Sequence, residues 1–269
     1  MIKFLLISLL CIFPQIITAQ TKLSDWAVEA ESKESKVSLT SDGSIDIIAP
    51  KGLTLWYKKQ MQGNVIIEYD AQIVVEEHNN NTWNRLSDLN CFWQATDPKQ
   101  KDGSVLRGIP KRKGIFANQY ALSLYYMGYG GNYNSTTRFR RYNGDENGVK
   151  DPSFRPAILR EYTDPGHILK PNHWYHIRLE QHFGHVRYII DGECIVDYLD
   201  ICPFYRGYFG FRTTLAHAQI RNFIYSETPV SGTPVSLHWV GRKPNSSASP
   251  QTFGIPFLQG EVLPSQSIL

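Results

Sequence analysis

Arginine and tyrosine are concentrated between residues 125 and 142, in the segment YYMGYGGNYNSTTRFRRY. A guanidinium group binds a carboxylate through two parallel hydrogen bonds. A tyrosine offers an apolar ring face with a hydroxyl group at its edge. Together these side chains suit an acidic sugar, so the segment predicts a carbohydrate ligand that carries carboxylates. The residues of this segment that we expect to contact such a ligand are Tyr125, Asn132, Tyr133, Arg141 and Tyr142.

Cleavage of a uronic-acid polymer by β-elimination requires three groups. A cation or amide neutralises the carboxylate, a base removes the proton beside it, and an acid protonates the leaving oxygen. We assign neutralisation to Arg138 or Arg140, and proton transfer to Tyr129 or His176. Two alternatives remain open: the segment binds sugar without chemistry, or it forms an arginine network that only braces the fold.

An ordinary glycosidase would need two carboxyl groups that flank the scissile bond. Glu76 and Glu77 are adjacent, so a strand would direct them to opposite faces. Asp88, Asp97 and Asp102 lie in predicted loops. The sequence therefore disfavours hydrolase chemistry of the two-carboxylate kind.

Two further groups of polar residues are candidates for ligand contacts. Asn84 and Arg85 lie in the segment NNNTWNRLSDLNCFW, which predicts a loop above the binding groove. Trp174, His176 and Arg178 alternate with apolar residues, so a strand would place them on the face away from the core. We expect this strand and the arginine-rich strand to line one shared groove.

No motif in the sequence requires a cofactor. His173 and His176 are spaced i,i+3 on a predicted strand, where that spacing sends side chains to opposite faces and disfavours a zinc site. A structural calcium ion is better supported, because aspartate and backbone oxygens suit it. Its candidate ligands are Asp25, Asp46 and Asp191.

The elements that must position these residues are strands. Short runs rich in Val, Ile, Tyr, Phe and Trp alternate with Gly, Asn, Asp and Pro, and helical periodicity is nearly absent. The pattern predicts an all-β fold, an antiparallel two-sheet β-sandwich of the jelly-roll kind. Asp191 and Gly192 predict a two-residue hairpin turn. The predicted strands are residues 37–39, 44–48, 53–57, 65–75, 90–93, 120–126, 137–142, 158–162, 174–181, 186–190, 194–198, 208–213 and 218–225.

The start of the 269-residue chain is typical of a secretion signal. Residues 1–19 combine Lys3 with an apolar run that ends at Ala19, and this run is too short for a typical membrane span. Removing it takes away one lysine and no acid, so the net charge of +3 becomes +2. That near balance disfavours a nucleic-acid binder. We expect an exported protein, periplasmic or extracellular, whose oligomeric state the sequence leaves open.

The remaining chain divides into two parts. Residues 23–227 are the predicted sandwich, and residues 228–269 are a linker and C-terminal extension, or the beginning of a truncated second domain. Three cysteines remain, Cys91, Cys194 and Cys202. The last two are close enough in sequence to pair, and buried free thiols are the alternative that we favour.

Two other segments complete a family resemblance: LKPNHWYHIRLEQHFGHVRYIIDG and GYFGFRTTLAHAQIRNF. With residues 125–142 they resemble the concanavalin-A-like jelly-roll proteins of bacterial exported saccharide-degradation systems, in particular the YesU-like group. The resemblance covers residues 23–227 and implies carbohydrate binding or cleavage on this fold. The phrase FGIPFLQGEV in the tail resembles the opening strand of the exo-acting rhamnogalacturonan lyases, which implies a pectin-like substrate.

The combined prediction is an exported β-sandwich that binds acidic, pectin-like oligosaccharides, with their cleavage by β-elimination left open. The alternative is a noncatalytic carbohydrate-binding or accessory module of a polysaccharide-degradation system.

Overall fold

The computed structural model describes residues 15–18 and 22–230. Most of the predicted signal segment, and the extension beyond residue 230, lie outside the described residues. Short helices connect the strands. The α-helical turns are Ile109–Arg112, Gly131–Asn134 and Asn147–Lys150, and the 3-10 turns are Leu23–Asp25, Leu106–Gly108, Phe116–Ala121, Pro152–Phe154 and Pro165–His167.

Two antiparallel sheets form a β-sandwich, as predicted. In spatial order, sheet A contains β14 (Glu193–Leu199), β13 (His185–Ile190), β12 (Tyr175–His182), β7 (Asn64–Val74), β16 (Ala216–Thr228), β4 (Ile45–Ala49) and β3 (Lys36–Leu39), with β1 (Gln15–Thr18) also paired to β16. In spatial order, sheet B contains β11 (Arg160–Tyr162), β10 (Thr136–Asn143), β9 (Ser123–Gly130), β8 (Leu89–Thr96), β15 (Arg206–Thr213), β5 (Leu53–Tyr57) and β2 (Trp26–Ala30), with β6 (Met61–Gln62) also paired to β15.

Each strand predicted from the sequence overlaps an observed strand. The predicted hairpin is confirmed: Asp191 and Gly192 join β13 to β14 with φ angles of 48° and 84°, the left-handed values that such a turn requires. Several boundaries differ by two or three residues. The strand predicted to begin at Tyr120 begins at Ser123, because residues Phe116–Ala121 form a 3-10 turn.

The main core lies between the two sheets. Strand β12 shows the alternation that builds it, since Tyr175, Ile177 and Leu179 are buried between the sheets and the residues between them face outward. The faces predicted for this strand are therefore confirmed.

A second apolar layer covers the outer face of sheet B. It contains Trp56, Phe92 and Tyr126, and residues 97–122, which we call the cover segment, pack over it. Strands β5, β8, β9 and β15 are consequently buried on both faces along almost their whole length. The sequence of a strand that is buried on both faces is mostly apolar without alternation, and these four strands show that pattern.

A buried carboxylate ties the cover segment to sheet B. Glu29 of β2 has no exposed surface. It accepts hydrogen bonds from Arg112 Nη2 at 2.7 Å, Gln119 Nε2 at 2.7 Å and the backbone N–H of Gly114 at 3.2 Å. All three donors belong to the cover segment, and Trp56 Nε1 of the sheet donates a fourth hydrogen bond at 2.9 Å. Glu29 therefore holds the segment against the sheet.

The outer face of sheet A carries charged side chains in a paired network. His176 Nδ1 lies 2.9 Å from Asp70 Oδ1, and its Nε2 lies 3.4 Å from Glu68 Oε2. Arg178 donates to Glu68 at 2.6 Å and to Glu180 at 2.7 Å. Positive and negative groups alternate across the strands, so this face resembles a solvated sheet surface.

The prediction that the arginine-rich strand and the Trp174–His176–Arg178 strand line one groove is wrong. The first is β10 in sheet B, and the second belongs with β12 in sheet A. Their polar side chains point away from the shared core, so they lie on opposite outer surfaces of the sandwich. The side chain of Trp174 instead packs on Arg221, whose Cζ lies 3.9 Å from the ring centroid.

Replacing Glu29 with Ala should lower the free energy of unfolding by about 3–5 kcal/mol, because it removes the nearer of the two carboxylates that pair with the buried Arg112 and leaves two other buried side-chain donors without an acceptor. Urea titration measures this change. The double variant Glu29→Leu with Arg112→Met should recover part of the loss, since it removes both charges of the closer pair, although Asp97 then loses its 3.7 Å contact with Arg112. The exposed Glu34→Ala is the control, with a change within about 0.5 kcal/mol. A loss below about 1 kcal/mol for Glu29→Ala would contradict this role.

The pair of His176 and Asp70 should make stability depend on pH. The hydrogen bond to Asp70 raises the pKa of His176. Burial by itself would raise the pKa of Asp70, but hydrogen bonds from His176 and Asn222 lower it below its ordinary value. The contribution of His176 to stability is complete below the ordinary pKa of histidine. It is lost as the pH rises through the raised pKa of this residue. The aspartate contribution is lost as pH falls through the lowered value. The pair therefore stabilises most between about pH 4 and pH 6.5.

His176→Gln should accordingly be less stable than the wild type at about pH 5.5, and the difference should shrink at about pH 8.5. His176 is half exposed, so the effect should stay below about 1 kcal/mol. Denaturant midpoints at the two pH values measure it. The exposed His78→Gln serves as the control, because among the described residues no carboxylate pairs with His78. A pH-independent difference for His176→Gln would rule out the histidine charge as its source.

Candidate functional site: an arginine-lined pocket on sheet B

The register of sheet B places a row of polar residues across seven strands. Residues that face each other in an antiparallel pair lie on the same side of the sheet, so the whole row belongs to the outer face. From β11 to β2 the row is Glu161, Arg138, Gly128, Asn90, Arg212, Thr54 and Glu29. Two arginines thus flank a centre made of a glycine and an asparagine.

The neighbouring row is aromatic and explains the glycine. It contains Arg140, Tyr126 and Phe92. The Tyr126 side chain leans over Gly128, and a Cβ atom at residue 128 would lie 2.3 Å from the Tyr126 hydroxyl oxygen. A larger residue at position 128 would displace Tyr126, so glycine leaves space above the sheet at this point of the row.

This space opens into a cavity of about 420 Å³, which we call the arginine pocket. Strands of sheet B form its floor, and Phe116 and Tyr120 of the cover segment form part of its wall. Its charged lining residues are Arg138, Arg140, Arg155, Arg212, Glu31 and Asp88. Four guanidinium groups face two carboxylates, so the lining is net positive.

Arg212 is the most deeply placed of these cations, with 2% of its surface exposed. Its Nη1 donates to Thr54 Oγ1 and to the Gly114 carbonyl oxygen, both at 3.0 Å, and its Cζ lies 5.1 Å from the centroid of the Phe116 ring. Burial lowers the pKa of Arg212. Among the described residues, no carboxylate lies within ion-pair distance of it. The charges of Glu29 and Asp88 oppose this change from beyond that distance. Arg212 therefore lacks a direct ion-pair partner, which is costly for a buried cation.

The other three arginines lie at the opposite side of the pocket. Arg138 Nε is 2.6 Å from Glu161 Oε1, which leaves its terminal nitrogens available. Arg140 donates to the Pro156 carbonyl oxygen, and the Cζ of Arg155 lies 5.4 Å from the Tyr120 ring centroid. Within the part of the chain that the structure describes, neither Arg140 nor Arg155 forms an ion pair with a carboxylate.

The carboxylates in the pocket are less available. Asp88 accepts from Arg85 Nη2 at 2.9 Å, Ser87 Oγ at 2.6 Å and Asn90 Nδ2 at 3.1 Å. Glu31 accepts from a backbone N–H at 3.3 Å. The Oδ1 atom of Asn90 is buried and has no hydrogen-bond partner among the described residues.

Three of the predicted site residues meet in the pocket: Arg138, Arg140 and Asn132. Asn132 and Tyr133 lie in the turn between β9 and β10 with left-handed φ angles of 50° and 60°. This conformation is uncommon outside glycine. Asn132 Nδ2 donates to an adjacent threonine hydroxyl at 3.1 Å, while the ring of Tyr133 is exposed and packs on Arg85.

The predictions that Tyr125 and Tyr142 contact a ligand are wrong, because neither has exposed surface. Tyr125 and Arg141 face away from the pocket. The Tyr125 hydroxyl donates to Asp200 at 2.7 Å, and Arg141 Nε binds the same carboxylate at 2.6 Å. Strand alternation explains this outcome, since every second residue of the arginine–tyrosine segment must enter the core.

The remaining predicted residues lie elsewhere. Tyr129 is buried among the tyrosines of the core and lines a separate cavity of about 110 Å³ beside His173. Asn84 braces its own loop, accepting from the Glu76 N–H and donating to the Glu76 carbonyl oxygen, both at 2.8 Å. The two residues assigned to proton transfer, Tyr129 and His176, are therefore both outside the arginine pocket.

The pocket residues that were not predicted from the sequence include Glu31, Phe116, Arg155 and Arg212. A signal existed for Arg212. It follows Tyr208 and Gly210 at two-residue spacing in an otherwise apolar strand, so it had to lie on the outer face with them. The other three come from connecting segments, whose positions strand periodicity cannot predict.

The described residues do not assemble a metal site or a redox site. The candidate calcium ligands lie on separate elements, and Asp46 and Asp191 already accept hydrogen bonds from protein donors. Residues 15–18 and 22–230 contain no group of three or more histidine, cysteine or acidic side chains arranged to hold a metal ion. The structural calcium stays a prediction.

The described cysteines are all free thiols. Cys91 is buried, as the favoured alternative expected, whereas Cys194 and Cys202 are exposed and unpaired. Within the same residues, no helix has the length and apolar character needed to cross a membrane.

Solved structures share this fold at low sequence identity. One is described as a protein of unknown function with a galectin-like fold from Bacillus subtilis, with 16% identity, a TM-score of 0.56, and coverage of 81% of this chain and 96% of that chain. Another is the exoplasmic/lumenal domain of VIP36 in its Ca2+/Man3GlcNAc-bound form, with 14% identity, a TM-score of 0.51, and coverage of 79% and 88%. These similarities support the jelly-roll sandwich. Among curated proteins, no relative matches.

A family model gives the identification. It matches residues 47–223, a region that holds every strand of the arginine pocket floor from β10 to β5. The match covers more than half of the chain, and the protein therefore belongs to the family described as Domain of unknown function (DUF6250).

Proposed function

We propose that this protein binds an acidic, uronic-acid-containing saccharide in the arginine pocket. One observation carries the proposal: Arg212 is buried at the pocket wall without a carboxylate in ion-pair distance among the described residues. A carboxylate from a ligand would supply the direct ion pair that Glu29 and Asp88 are too distant to form. Charge-assisted hydrogen bonds between guanidinium and carboxylate groups are among the strongest in proteins.

The rest of the pocket favours a sugar over a small inorganic anion. The rings of Phe116, Tyr120 and Tyr126 provide apolar surface for a sugar ring, and Asn90 and Asn132 provide amide groups for its hydroxyls. Similar folds support the same reading, since one structural neighbour is described as bound to Man3GlcNAc. The family resemblance of the sequence and the predicted export signal point to a role in extracellular saccharide use, with pectin-like chains as the proposed source.

The pocket supports binding better than cleavage. No histidine of the described residues lines it, and its tyrosines are Tyr120 and Tyr126. Burial raises the pKa of Tyr126, and the nearby Asp88 charge raises it further, so this hydroxyl group stays protonated and is not available as a base. A β-eliminating enzyme needs a base beside the carboxylate-bearing carbon. Noncatalytic binding is therefore the function that we propose first, and β-elimination is the second candidate.

Arg140→Ala should weaken the binding of oligogalacturonates by about 10- to 100-fold, because it removes a charge-assisted hydrogen bond worth about 1.5–3 kcal/mol. Isothermal titration calorimetry measures the affinity. The matched control is Arg178→Ala, which removes an arginine from the outer face of sheet A and should leave affinity unchanged. Fully methyl-esterified oligogalacturonates should bind weakly to the wild type. Equal affinity for the acidic and esterified forms would overturn the proposal.

Incubation with the same oligogalacturonates distinguishes binding from cleavage. Elimination creates a conjugated double bond that absorbs ultraviolet light. We expect binding without growth of this absorbance. Absorbance that grows with the wild type, but not with Arg140→Ala, would instead establish the lyase.

A further inference from the structure

We propose that the arginine pocket recognises two separate anionic groups, one at each end, and therefore selects oligosaccharides with at least two uronic acid residues over a single uronic acid. This inference rests on the proposed function and adds the number and spacing of the charges. The observation behind it is the position of Arg138 and Arg212 at the two ends of one cross-strand row.

The first step is the distance along the row. Arg138 lies opposite Gly128, Gly128 opposite Asn90, and Asn90 opposite Arg212. Three strand-to-strand steps of about 4.8 Å place the two arginine Cα atoms roughly 14 Å apart. That separation exceeds the size of a single sugar ring.

The second step is the direction in which the side chains are held. Arg138 binds Glu161, which lies on β11, the strand on the far side from the pocket centre. Arg212 donates to Thr54 on β5, which also lies on its far side. Both guanidinium groups are thus drawn outward rather than toward each other. One carboxylate, whose two oxygens share a single carbon atom, cannot contact both.

The third step concerns the surface between them. Gly128 has no side chain, and Asn90 is short and uncharged. The ring of Tyr126 borders these two residues, and the Asp88 carboxylate lies beside them, 3.1 Å from Asn90 Nδ2. An uncharged floor with an aromatic edge suits the hydroxyl-bearing body of a sugar, and the neighbouring Asp88 charge disfavours a third carboxylate there. Along the row the order is therefore a cation, two uncharged residues and a second cation.

The two ends are unequal. Arg140 and Arg155 join Arg138 at the β10 end, where the lining is strongly positive. Arg212 is alone at the other end, although it is the more buried cation. A single uronic acid should therefore settle at one end and leave the other without a partner. A longer chain gains the second contact without a second loss of translational freedom, which is the physical basis of its preference.

Trigalacturonate and galacturonic acid test the inference by calorimetry on the wild-type protein. We expect the trimer to bind at least about 30-fold more tightly. Methyl esterification of either terminal residue of the trimer should lower its affinity by at least about tenfold, whereas esterification of the middle residue should change it by less than about threefold. These measurements need no variant and so do not depend on refolding of an altered core.

Variants then assign the ends. Arg138→Gln and Arg212→Gln should each weaken the binding of the trimer at least about tenfold. Galacturonic acid, which occupies one end of the pocket, should bind more weakly to at most one of these two variants. Arg187→Gln, on the outer face of sheet A, is the control. If esterification of one terminal residue leaves the affinity of the trimer unchanged, the pocket binds a single anionic group. This inference then fails, while the proposed function stands. If no acidic saccharide binds the wild type, the proposed function itself fails.

Discussion

The arginine pocket depends on the buried carboxylate of Glu29. This group holds the cover segment on sheet B by accepting from three of its donors. One of those donors is the N–H of Gly114, and the carbonyl oxygen of the same residue accepts from Arg212. Glu29 therefore fixes the backbone of Gly114, and Gly114 in turn fixes the guanidinium group of Arg212. Without the cover segment, the aromatic layer of sheet B would face water and the pocket would lose the wall that contains Phe116.

The two outer faces of the sandwich show how the same residue types acquire different roles. On sheet A, Arg178 lies between Glu68 and Glu180. His176 lies between the same Glu68 and Asp70. Such surface networks satisfy their own charges and contribute modestly to stability. On sheet B, Arg140 and Arg212 interact with carbonyl or hydroxyl oxygens rather than carboxylates. The available positive charge is concentrated there, which makes this face the better candidate for an anionic ligand.

Much of the fold was predictable because strands buried on one or both faces leave a periodic or continuous apolar pattern. The hairpin at Asp191 and Gly192 was predictable because few residue pairs tolerate its backbone conformation. Strand β2 was missed, since it contains the charged Glu29 within a short run. The site was predicted in part. Arg138 and Arg140 share an outward face by alternation. Tyr125 was assigned to the site from the composition of its segment, although its position in the strand directs it into the core.

The sequence by itself determined the class of fold, the register of alternation within each strand and the presence of an arginine-rich strand. It could not determine which strands become neighbours, because pairing between distant segments depends on the packing of the whole sandwich. Only the tertiary structure placed Arg212 in the same row as Arg138, and placed His176 on the opposite surface. The charge of a guanidinium is a property of the residue. Whether that charge is already matched is a property of its neighbours, and the fold alone selects them.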